Sequence, residues 1–99
     1  MAVEQIQWSQ LAEFEQQVLL NGTTFRLNFK YNEISGRYIM DIYSADRTLI
    51  VSGTPLVRGI LLTSQVVDSR LPNGDFVVFG EEPNFENLGS SSNLYFVTD

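Results

Sequence analysis

Ninety-nine residues, 43% of them hydrophobic and none cysteine or histidine, make one modest domain without disulfides, thiolate nucleophiles or the usual zinc ligands. Twelve acids against six bases give a net charge of −6, which repels a phosphate backbone, so no direct nucleic-acid binding is expected. No apolar run approaches the roughly 20 residues of a membrane helix, and the opening MAVEQIQWSQ lacks the basic start and apolar block of a secretory signal. The expected setting is a cytoplasm, with no membrane contact.

The first twelve residues read as an arm or an edge strand, and Met1 to Trp8 has Val3, Ile6 and Trp8 as its apolar content. Ser9 to Leu20 fits two patterns. As a helix it would be capped by Ser9, with Leu11, Phe14 and Val18 on one stripe. As a strand it would start near Phe14 and end at Asn21-Gly22, a dipeptide typical of two-residue hairpin turns. The strand is preferred, because the turn leads directly into the clearest strand of the chain.

That strand is Phe25 to Tyr31. Phe25, Leu27, Phe29 and Tyr31 alternate with Arg26, Asn28 and Lys30, the period of two that marks one buried side. A four-residue loop, Glu33 to Gly36, leads to a second run from Arg37 to Tyr43. Parity then predicts the register: Asn32 opposite Arg37, Tyr31 opposite Tyr38, Phe29 opposite Met40 and Leu27 opposite Ile42. A slip of one residue would bury Arg37 and Asp41 among aromatic rings, at a cost no turn preference offsets.

Thr48 to Ser52 is the next predicted strand. Pairing Tyr43 with Thr48 places Leu49 and Val51 inward and leaves Ile39, Tyr43 and Ile50 on the opposite face. Those three, with Trp8, are the candidate protein-interface residues, because an outward face holding three large apolar residues calls for a cover. Gly53-Thr54-Pro55 is expected to end the sheet, since proline cannot donate to a ladder. Leu56 to Leu62 suggests a strand bent at Gly59, and Thr63 to Asp68 has no clean period despite Val66 and Val67. Leu71-Pro72-Asn73-Gly74 reads as a turn into a strand at Asp75 to Phe79, and Asn93 to Thr98 as the final strand. Between them, residues 80–92 form a long acidic loop that Phe85 and Leu88 would pin to the body. The whole predicts an all-β chain: a single small antiparallel β-sandwich or barrel of about seven short strands spanning residues 1–99.

No catalytic, cofactor or metal site emerges. Glu81, Glu82 and Glu86 form the only carboxylate cluster, in a loop with little apolar company to raise the pKa of a general acid. It reads as solvated, with weak calcium coordination as the alternative. The residues alone indicate a soluble β domain and no chemistry.

The ordered set from Leu19 to Phe79 resembles the baseplate plug proteins of contractile-tailed bacteriophages. Its most specific part is Phe25 to Asn32, Gly36-Arg37-Tyr38, Asp41-Ile42-Tyr43, and Gly53 with Pro55-Leu56-Val57 and Gly59. The chain departs from that pattern at Leu61, where relatives often have an acid, and at Arg47, where they tend to have glycine. The resemblance implies a non-enzymatic component of the virion tail baseplate, made in the host bacterial cytoplasm. It would close the distal end of the tail tube among hub, spike and tube proteins until contraction, with self-association also open. A carbohydrate- or ligand-binding module of a tail or cell-wall protein is the alternative.

Overall fold

The computed structural model describes residues 2–63, 70–71 and 74–98. Seven strands run in chain order: β1 (Ala2–Gln5), β2 (Glu13–Leu20), β3 (Thr23–Asn32), β4 (Arg37–Ser44), β5 (Leu49–Pro55), β6 (Asp75–Gly80) and β7 (Ser92–Thr98). They form two antiparallel sheets, β2-β3-β4-β5 and β1-β7-β6. Neither closes on itself, so the architecture is a sandwich rather than a barrel. No helix occurs among the described residues, and none is long and apolar enough to cross a membrane.

The four-stranded sheet follows from its turns. Asn21 and Gly22 both have positive φ, 54° and 85°, the backbone a two-residue type I′ hairpin demands. Leu20 therefore pairs with Thr23 and Phe14 with Phe29. The β3–β4 loop closes on Gly36 at φ 70°, and the pairs Tyr31–Tyr38, Phe29–Met40 and Leu27–Ile42 are those that parity requires. The tyrosine rings lie 5.3 Å apart.

The core is the space between the sheets. Phe25, Leu27, Phe29, Tyr38, Met40 and Ile42 from one wall meet Phe76, Val78, Leu94 and Phe96 from the other, joined by Ile6, Leu56 and Leu88. Burying a side chain of this size contributes about 1.5–3 kcal/mol, so this layer dominates the stability. The loop after β6 closes one end: Leu88 is fully buried, and Phe85 lies against Tyr31 and Tyr38.

Three expectations for the middle of the chain are corrected. In β5 the pairing shifts: Tyr43 lies opposite Leu49, Ile42 opposite Val51 and Met40 opposite Thr54, with irregularities between these pairs. Each extra residue reverses parity locally, so Val51 is buried at 9% exposure while Leu49 is 47% exposed. Nor does the sheet stop at Gly53-Thr54-Pro55. Gly53, at φ 78°, donates its N–H to the Asp41 carboxylate at 2.8 Å, and pairing continues to Ile39–Pro55. Proline is tolerated there because β5 is an edge strand. Leu56 to Leu62, finally, is not a strand. It runs irregularly beside β6, with the Gly59 N–H on the Val78 carbonyl and the Leu62 N–H on that of Phe76. The predicted features at Val66–Val67 and Pro72–Asn73 lie outside the described residues.

Candidate interaction surfaces

Two sheets with a filled interior leave two outer faces and two loop-bearing ends. Among the described residues no three acids are grouped to hold a metal ion. Glu82 is instead held by two arginines, 2.6 Å from Arg37 and 3.7 Å from Arg58, and Glu81 accepts a hydrogen bond from the Ser91 hydroxyl. A hollow of about 530 Å³ opens beside Ile50, between Phe25 and the Ser44–Asp46 turn. In that turn hydrogen bonds, first from the Ser44 hydroxyl and then from Thr48, hold the Asp46 carboxyl below its usual range. That is the chemistry of a fixed turn rather than of a proton carrier.

The four predicted interface residues are not brought into one patch. Trp8 lies at the inner wall, its ring 4.8 Å from Phe14, 4.9 Å from Phe29 and 4.8 Å from Tyr38. Its partners are inward-facing, so it covers the core and not Ile39 or Tyr43. Ile50 also packs against the core, because the β5 irregularity turns it away from the outer face. Ile39 and Tyr43 do share the outer face of β4, alternating with buried Tyr38, Met40 and Ile42. Their cross-strand partners on β5 are Pro55 and Leu49, both exposed. Around them the face is charged: Glu15 lies 3.6 Å from Arg26 and 3.1 Å from Arg47.

The outer face of the three-stranded sheet is different, and sequence reasoning missed it. Pairing sets Val3 beside Val97, and Gln5 and Val77 on either side of Tyr95. Phe79 is 53% exposed, with its ring 5.6 Å from that of Tyr95. Among the described residues the carboxylate on this face is Asp75, and it is spent internally, accepting from the Thr63 N–H and hydroxyl and from the Phe76 N–H. The signal was in the alternation of Phe79, Tyr95 and Val97, but it surfaces only once these strands are known to pair with the opposite parity buried.

A small sandwich with partly apolar outer faces offers surfaces suited to contact with other proteins. Residues 3–99 match the family described as cyanophage baseplate Pam3 plug gp18. The chain belongs to that baseplate plug family. Nothing matches among curated proteins. The plug family is one of structural baseplate components, which puts this chain in the virion tail, among other phage baseplate proteins.

Proposed function

We propose that this plug protein closes the distal end of the tail tube, seated among hub, spike and tube proteins until contraction. The observation that carries the reading is the family match, which takes in nearly the whole chain, residues 3–99. The structure supports it physically. A closure must be stiff, and a sandwich core with fully buried Phe29, Tyr38, Phe76 and Leu94 is close-packed and hard to compress. It must also release DNA, and a net charge of −6 repels the passing phosphates. Two faces offer seats for neighbours: Ile39 and Tyr43 with Leu49 and Pro55 on one sheet, and Phe79, Tyr95, Val97 and Val3 on the other.

The test is electron microscopy of intact tails beside tails assembled without this chain. Closure predicts density across the tube end that is missing from the second sample, together with early loss of packaged DNA. Tails that hold the chain outside the tube, with DNA retained when it is missing, would refute the closing role.

A further inference from the structure

One end of the sandwich gathers three exposed apolar side chains from three different segments. Leu11 is 57% exposed, Ile34 99% and Phe85 37%. Phe85 and the Leu11 backbone adjoin the Tyr31–Tyr38 pair. The Phe85 ring lies 5.2 Å from Tyr31 and 6.0 Å from Tyr38, and the Tyr38 hydroxyl donates to the Leu11 carbonyl at 2.8 Å. Ile34 occupies the tip of the loop that joins the two tyrosine strands. The segments are also tied to each other, since the Gln10 side-chain amide donates to the Leu88 carbonyl at 2.6 Å.

The Ile34 tip is fixed from below. The Asn32 side-chain oxygen accepts from the N–H groups of Ile34 and Ser35 at 2.9 and 3.1 Å, and the Asn32 carbonyl from the Gly36 N–H at 2.9 Å. A branched apolar side chain held almost wholly in water gains nothing for folding. Its presentation on a pre-ordered loop lowers the ordering cost of binding.

The balance of charge around these residues is negative. The two adjoining loops carry Glu33, Glu81, Glu82 and Glu86, while the nearby Arg37 and Arg58 are both engaged with Glu82. Among the described residues Glu33 and Glu86 meet no basic side chain. Apolar anchors inside an acidic rim are complementary to an apolar socket rimmed by lysine or arginine. A second copy would offer glutamate to glutamate.

We infer that this end, with Ile34 as its leading anchor, inserts into a basic-rimmed apolar socket on a different protein of the baseplate. The inference rests on the baseplate reading and names the surface and partner chemistry it leaves open. Ile34→Asp and Ile34→Ser leave the isolated fold untouched, so both melt with the wild-type protein. In tails assembled with each variant, mass spectrometry counts copies of this chain against the tube protein. Ile34→Asp lowers that count by about tenfold or more, the effect of losing a central anchor, and Ile34→Ser lowers it less. A benzophenone amino acid at position 34 crosslinks in assembled tails to a partner site flanked by lysine or arginine. Wild-type occupancy of Ile34→Asp, or a crosslink only to a second copy, overturns the inference while leaving the baseplate role intact. Tails that lack even the wild-type chain overturn both.

Discussion

Replacing Phe29 by alanine probes the joint on which the amino-terminal third of the molecule hangs. Phe29 is fully buried, and its ring lies 4.9 Å from Trp8 and 5.1 Å from Phe14. It faces Met40 across the sheet. Truncating a buried phenylalanine costs about 3–5 kcal/mol, of which each aromatic pair accounts for ~0.5–1.5 kcal/mol. With two such pairs removed, Phe29→Ala belongs in the upper part of that range, about 4 kcal/mol. Against a total stability of about 5–15 kcal/mol for a domain, that is a large share. At 4–8 °C per kcal/mol for a domain of this size, Tm falls by roughly 20 °C. Trp8 is the only tryptophan, so urea titration followed by its fluorescence, with circular dichroism alongside, reads the loss at the site itself. Phe29→Leu, which keeps much of the volume, costs about 1 kcal/mol. If Phe29→Ala stays within about 1 kcal/mol of wild type, below the smallest cost expected of a closed aromatic joint, then Trp8 and Phe14 do not meet over Phe29.

The shifted β5 register has its own test: Val51→Ala costs about 2 kcal/mol, while exposed Leu49→Ala stays within about 0.5 kcal/mol, and equal losses in chemical denaturation would restore the unshifted pairing. Gly80 has φ 109°, and a Cβ there would lie 2.2 Å from the Ser91 carbonyl oxygen, so Gly80→Ala forces the β6–β7 end apart. A loss of about 2–4 kcal/mol is expected, and an unchanged melting temperature would refute the close approach. Burial, and after it the neighbouring Tyr31, raise the Tyr38 phenol above its ordinary value. A raised folded value means that this contribution to stability is complete below about pH 10 and is lost as pH climbs through the folded value. Tyr38→Phe removes that part of the alkaline decline and leaves the Leu11 carbonyl short of a donor, costing about 1 kcal/mol at neutral pH; an alkaline profile identical to wild type would contradict the assignment.

The amino-acid sequence by itself determined the β3–β4 hairpin, its register and its buried side. A pleat has only two parities, and Asn28–Asp41 and Lys30–Ile39 pair on the side that leaves Phe29, Met40 and Ile42 inside. It also determined the Asn21-Gly22 turn, because few dipeptides accept two positive φ values in succession. Tertiary structure alone decided the course of β5, where a bond from the Gly53 N–H to the Asp41 carboxylate stabilises an irregular pairing that no local pattern announces. It decided that Trp8 faces inward, since its partners Phe14, Phe29 and Tyr38 come from three strands. It also decided that Leu11 and Phe85, far apart in the chain, both adjoin Tyr38 at the end where Ile34 stands exposed. Parity is a property of a single strand and travels with the residues. Irregular segments have no such period, and only the contacts they make after folding say where they lie.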